Sequence, residues 1–408
     1  MKRGRIKALS IGCILLSFFL CGLAVLPQIV QATNTVTATI TIPHYAFALA
    51  ITPDGKYSYV PEINNVAVIS TATNKVTATV NVDGSNGIAI TPNGKYAYVT
   101  SSPGTIEGKN SVAVISTATN KVTATITLGD SPTAVAVAPN GEYTYVTGQA
   151  IVNKVSVGEV SVISTATNTE TTMVTVGNGP CAVALTPNGE YAYVANEYSG
   201  TVSVINTSTN TVATTVTVGI GPQSVAITPD GAYAYVTNWG NDSVSVINTA
   251  TNTVTTTITG LSAPYGIALT PNGEYAYVTE ADSENMVGLV SVVSTVTNSV
   301  AATFPLETRP YDIAITPNGA YAYIANGSNS TVSVISIGTD TGPTSSSSPA
   351  TPEFPVQSLT ITLLVSAIIV LSIVIIAMKK AEKSKLGKNN QRKPRISKTS
   401  WVNHFFIF

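Results

Sequence analysis

The feature that most constrains this chain is its resemblance to itself. The step Pro-[Asn/Asp]-Gly occurs seven times, with prolines at 53, 92, 139, 187, 229, 271 and 317, spaced 39 to 48 residues apart. Tyr-x-Tyr follows each glycine: Tyr57/Tyr59, Tyr96/Tyr98, Tyr143/Tyr145, Tyr191/Tyr193, Tyr233/Tyr235, Tyr275/Tyr277 and Tyr321/Tyr323. Each unit splits into four runs of β-branched or alternating residues with turn residues between them. In the fifth unit these runs are 224–228, 233–238, 243–248 and 253–258. Proline fixes φ at the first turn and glycine supplies a left-handed position. No sustained 3.6-residue period appears. Four antiparallel strands in about 44 residues, seven times over, predict an all-β fold: a seven-bladed β-propeller with one repeat per blade.

The phase of the repeat predicts closure. The chain enters on a fourth-strand run, Asn34 to Ile40, before any first-strand run, and leaves on a third-strand run, Thr331 to Ser336. If the leading segment pairs with the trailing one, the ring closes and neither end is a bare edge. Ala50, Ala89, Ala136, Ala184, Ala226, Ala268 and Ala314 stand three residues before the turn prolines. They suggest that the first strand of each blade lies crowded round the axis. The fourteen repeated tyrosines read as packing residues.

Charge is sorted along the chain. Four basic residues precede position 8, and nine basic residues against one acid follow Met378. The stretch 33–355 carries 7 basic and 20 acidic residues. That acidic middle offers no basic stripe for nucleic acid. A basic start, an apolar run from Ala8 to Leu26 and Ala32 as a small residue read as a signal peptide over 1–32. Residues 33–337 are then the propeller and 338–355 a Ser/Thr/Pro-rich stalk. The uncharged span 356–378 has the length of a transmembrane helix, ~35 Å at ~1.5 Å per residue. The basic segment 379–408 is a cytoplasmic tail by the positive-inside bias, which places the propeller outside the plasma membrane. Two of the three cysteines fall in the leader, so Cys181 has no disulfide partner in the mature chain.

The letters Ala-Tyr-Val-Thr-Asn (234–238), with Val-Ser-Val-Ile-Asn-Thr after them and Val-Ala-Ile-Thr-Pro-Asp-Gly before, resemble the YVTN-type β-propeller repeat of archaeal surface-layer proteins. The resemblance covers 33–337 and implies a cell-surface role. Pro352-Glu353-Phe354, the apolar span and the basic residues behind it are similar to the PEF-type sorting signal of archaeal surface proteins. There the helix is exchanged for another anchor. About thirty residues follow Met378 here, more than such signals carry, so a permanent single-pass anchor stays open beside cleavage.

Catalytic residue types are scarce. His44 is the one histidine outside the tail, so His₂ or His₃ metal sites and a Cys-His dyad lack partners. No Walker or dinucleotide glycine pattern occurs, and no cofactor is expected. Variation collects where fourth strands lead into first strands. One residue after the usual proline come Phe47, Asn86, Thr133, Cys181, Gln223, Tyr265 and Tyr311, with Asp312, Tyr198 and Trp239 near them. Variable positions on a rigid repeated frame are where recognition usually resides, and this set is expected to form a ligand- or partner-binding mouth. Glu280, Asp282 and Glu284 offer a weak calcium candidate, with a solvated acidic loop as the plain alternative. Asn206, Asn241, Asn326 and Asn329 sit in N-x-[ST] sequons. The expected role is a structural, adhesive or binding module displayed at the surface and tethered to the membrane, with envelope proteins or surface glycans as partners. The alternative is an extracellular propeller enzyme, lactonase- or lyase-like, working at the mouth.

Overall fold

A computed structural model of the chain describes residues 34–338 apart from 104–108, 153–154, 282–287 and 307. These residues form strands β1 to β28 in chain order, arranged as seven four-stranded antiparallel sheets. Blade 1 holds β2 (Ala50–Ile51), β3 (Tyr57–Pro61), β4 (Asn65–Ser70) and β5 (Lys75–Asn81), in that order. Blades 2 to 6 repeat the pattern. The first strand of each blade neighbours the first strands of the blades on either side, all the way round. The chain is a seven-bladed β-propeller.

Closure occurs as the phase of the repeat requires. The last sheet runs β1 (Thr35–Thr41), β28 (Thr331–Ser336), β27 (Tyr321–Asn326), β26 (Pro310–Ile315). Its register pairs Thr35 with Ser336 and Thr41 with Thr331. Seven apolar clusters fill the seven gaps between neighbouring blades, so the core is a set of wedges rather than one centre. In the wedge between blades 7 and 1, Ile40 and Ile42 of the leading segment pack with Val60, Ile69, Val332 and Val334.

The repeated letters each have a mechanical reason. At Thr228-Pro-Asp-Gly231, the Thr228 hydroxyl donates to Asp230 Oδ1 (2.6 Å) and accepts from the Tyr233 amide (3.0 Å). Gly231 takes the turn at φ 75°, where a Cβ would be strained. The two tyrosines of each pair part company. The first is half-exposed, as at Tyr57 (40%), whereas the second is buried. Every one of the seven alanines lies opposite the second tyrosine of its blade, from Ala50 against Tyr59 to Ala314 against Tyr323. Their smallness makes room for that ring within the wedge. The first strands also lie innermost, each beside the first strands of the two neighbouring blades, as expected from the sequence.

The buried tyrosines also lace the ring together. Tyr59, Tyr98, Tyr145, Tyr193 and Tyr235 donate to the Oδ1 of Asn120, Asn168, Asn210, Asn252 and Asn298 in the next blade, at 2.6–3.3 Å. Each of these asparagines holds a left-handed turn at φ near 50°. Tyr323 reaches Asn74 across the closing gap (2.6 Å), and Tyr277 reaches Asn34, just ahead of β1, at 2.9 Å. Asn34 thus stands in for the turn asparagine that the split blade lacks. Burial pushes these phenols up to about 12, so they stay protonated donors. Tyr98→Phe is expected to lower stability by about 1 kcal/mol in chemical denaturation, and Tyr277→Phe by the same amount. A neutral Tyr277→Phe beside a destabilising Tyr98→Phe would show that Asn34 is not an equal member.

The span 356–378, the leader, the tail, most of the stalk, and Pro352, Glu353 and Phe354 lie outside the described residues. Among those described, no helix is long and apolar enough to cross a membrane.

Candidate ligand pocket at the axis

The connections from fourth to first strands bring one chemically distinct residue per blade to the axis. Phe47, Asn86, Thr133, Cys181, Gln223, Tyr265 and Tyr311 all line a single cavity of about 330 Å³. The residue after each ring member also lines the cavity: Ala48, Gly87, Ala134, Ala182, Ser224, Gly266 and Asp312. Six of these are small, and the seventh carries a carboxylate. Clefts of about 240 to 470 Å³ also recur between neighbouring Pro-[Asn/Asp]-Gly turns. Those clefts repeat one another, built from the uniform letters, whereas the axial cavity is lined by residues that differ from blade to blade.

The cavity has two sides. Blades 6, 7 and 1 contribute an aromatic arc. The Tyr265 and Tyr311 rings meet at 4.9 Å and 75°, and Tyr311 and Phe47 at 5.5 Å and 88°. The Arg309 guanidinium lies 5.6 Å from the centre of the Tyr311 ring. Blades 2 to 5 contribute Asn86, Thr133, Cys181, Gln223 and the carboxylate of Glu197. Sequence reasoning missed Glu197. It directly follows the Asn of Tyr-Val-Ala-Asn (193–196), and its amide donates to Gly179 O in the connection leading to Cys181, a placement that only the packing shows.

Inter-blade hydrogen bonds fix these residues, and they explain the Thr of the repeat. Thr237 Oγ1 accepts from the Ser224 amide (3.0 Å) and donates to Tyr265 O of the next blade (2.6 Å). Thr279 does the same between Gly266 and Tyr311. Where the repeat has Ala195 or Ala325 instead, a first-strand side chain takes over. The Cys181 thiol reaches Pro222 O at 3.1 Å, and Asp312 Oδ2 accepts from the Leu49 amide at 3.0 Å, across the closing gap. Burial pushes the Cys181 thiol up to about 12, which removes it as a nucleophile at neutral pH. Burial raises the Asp312 carboxyl to about 6, against the pull of its bonds from the Leu49 and Ile313 amides. Burial raises the Tyr265 phenol as well.

Tyr198 and Trp239, expected at the mouth, do not join the cavity. Tyr198 is 71% exposed and its ring packs over Gly179; Trp239 sits in a 3-10 turn (Trp239–Asn241) beside Gly221. Both side chains fold onto glycines of the neighbouring connection instead of leaning inward. His44 is exposed and off the cavity, and its amide donates to Glu62 Oε2 at 3.0 Å. The calcium candidate loses its loop-tip character at Glu280, which is 2% exposed and accepts from the Ser262 amide at 2.6 Å. Asp282 and Glu284 lie outside the described residues, and no cluster of three metal-ligating side chains occurs among those described.

Of the sequons, Asn241 and Asn329 are exposed and Asn206 partly so. Asn326 is a correction. It is fully buried and its Nδ2 donates to Thr331 Oγ1 (3.0 Å) and Ser333 Oγ (2.9 Å), so the folded blade closes it to a glycan. Asn196 and Asn238 make the same pair of bonds, which is what the Asn of the repeat is for.

Residues 158–299 match the family model described as Lactonase, 7-bladed beta-propeller. The match covers about a third of the chain and agrees with the blade count. Among solved structures, the chain is similar to Kuenenia stuttgartiensis hydrazine synthase, with a TM-score of 0.63 and 22% identity over 76% of this chain and 99% of that one. It is also similar to the β-propeller domain of Myceliophteria thermophila Cps50 (Swd1), with a TM-score of 0.61 and 11% identity over 74% and 99%. Likenesses at such identities establish the propeller and carry no activity with them. No curated protein matches the chain.

Proposed function

We propose that this propeller is a binding module, shown to the outside of the cell by its leader and apolar C-terminal span, that captures a small ligand or the terminus of a larger one at its axial pocket. The observation that carries this reading is the convergence of seven residues of six types on one cavity, in a molecule whose other repeat positions are nearly uniform. Concave sites of about 300–1,000 Å³ with mixed apolar and convergent polar walls are the usual form of ligand pockets. The surface-layer and sorting-signal resemblances supply the place of display, and surface glycans or envelope proteins the expected sources of ligand.

The match to a lactonase family over 158–299 favours a second reading, hydrolysis of a lactone in the same cavity. Glu197 and Asp312 would be its available bases, because His44 stands off the cavity.

One experiment addresses both. The full chain is screened by thermal shift against sugars, amines and lactones, beside a Ser224→Phe variant that adds bulk to the cavity's lining. Ligands that raise the melting temperature of the parent and not of Ser224→Phe support the pocket. Stabilisation that survives the plug places binding elsewhere and overturns the reading. Turnover of a lactone that is lost in both Glu197→Gln and Asp312→Asn would replace it with the enzymatic one.

A further inference from the structure

We infer that the ligand of the axial pocket carries an organic ammonium group, bound between the aromatic arc and the Glu197 carboxylate across from it, with Asp312 adding negative charge on the arc's own side. This deepens the binding reading and rests on it. Three features converge. The first is the sign of the cavity's charge: Glu197 and Asp312 both line it, and no lysine or histidine does. The Arg309 guanidinium lies over the Tyr311 ring and is not part of the lining. An anionic ligand would meet two carboxylates with no counter-charge in the wall.

The second feature is the arc itself. Phe47, Tyr311 and Tyr265 come from three successive blades, with neighbouring rings inclined at 88° and 75°. Rings set nearly at right angles form adjoining walls rather than a flat stacking platform. Aromatic walls of this kind attract alkylammonium groups through their quadrupoles, and the attraction grows where water is displaced.

The third feature is what faces the arc. Glu197 makes no ion pair among the described residues. Asp312, on the arc's own side beside Tyr311, accepts from the Leu49 amide of the next blade. Asn86 and Gln223 add amides able to hold a hydroxyl or carbonyl on the remainder of the ligand. A cation desolvated by the arc would therefore find its counter-charge already oriented, which is the arrangement that lowers the cost of binding.

Choline and dimethylbutanol, its neutral carbon isostere, separate charge from shape. By calorimetry on the full chain, choline is expected to bind roughly tenfold or more tightly than the isostere. Glu197→Gln, Asp312→Asn and Tyr311→Leu are each expected to weaken choline about tenfold and leave the isostere unchanged. Asp312→Asn keeps an oxygen for the Leu49 amide, and Glu197→Gln, toward the rim, leaves the blade interior untouched. Equal binding of the two probes overturns the ammonium inference while leaving the pocket standing. So does failure of choline to bind when another ligand binds in a manner sensitive to Ser224→Phe. If no ligand responds to Ser224→Phe, the binding reading falls together with the inference.

Discussion

A chain lacking residues 34–42 is expected to lose its cooperative melting transition and to associate through the last blade. The reasoning is additive. Ile40 and Ile42 are 5% and 3% exposed, and burying such side chains contributes about 1.5–3 kcal/mol each. The β1–β28 register extends from Thr35 to Thr41, and its ladder bonds contribute about 0.5–1.5 kcal/mol apiece. The Tyr277–Asn34 bond goes too. Together these approach the roughly 5–15 kcal/mol that holds an ordinary domain together. What remains is an unpaired β28 beside an opened apolar wedge, a template for edge-to-edge association. Circular dichroism melts and size-exclusion chromatography read the outcome, and a synthetic peptide spanning 34–42 is expected to restore the monomer. A truncated chain that stays monomeric and melts within a few degrees of the parent would show that the segment is not the closure.

The second large effect is on pH. Glu62 is fully buried and burial raises its carboxyl from 4.5 to about 7; Asp130, 2% exposed, rises from 3.8 to about 6. The folded state therefore binds protons that the unfolded chain releases. For a raised carboxyl, stability is full below the unfolded value and is lost as pH climbs through the folded one. The window runs from about pH 4 to about pH 7. At about 1.4 kcal/mol per pH unit, Glu62 alone accounts for roughly 3 kcal/mol. Asp54 and Asp230, lowered by bonds from Thr52 and Thr228, act in the opposite sense but only on the acid side of this window. The propeller should thus melt several degrees higher at pH 5 than at pH 8. Glu62→Gln should raise the value at pH 8 and flatten the profile. A melting temperature that climbs from pH 5 to pH 8, with no change of slope in the variant, would contradict this account.

The fold was largely legible because its signals are local and repeated. Pro-[Asn/Asp]-Gly, Tyr-x-Tyr and the offset at the two ends each state a turn, a strand or a pairing within one unit. The ring from Phe47 to Tyr311 was legible for the same reason, since each member holds the same place in its repeat. What escaped depends on contacts between units. Glu62, Asn196, Asn238, Glu280 and Asn326 share one position after the second tyrosine, and its burial appears only once the strands have folded together. In blade 3 that position is Gly148, and a Cβ there would collide with Asp130: the connection supplies the side chain that the strand omits. Which way the Tyr198 and Trp239 side chains lie depends on how their loops fold, which aromatic letters near a mouth do not state. The alanines marked the inner strand, but their tyrosine neighbours lie across the sheet rather than along the chain and so were not legible.

The placing of β28 between β27 and β1 bears on how the molecule withstands force. A pull on the chain beyond Ile337 arrives at a strand gripped on both sides, with ladders to Asn326–Tyr321 on one flank and Thr41–Thr35 on the other. Such a load must shear two rows of hydrogen bonds at once, where a terminal strand at the rim would peel away one bond at a time. The same leading segment that completes the wheel therefore makes its exit point the hardest place at which to unravel it.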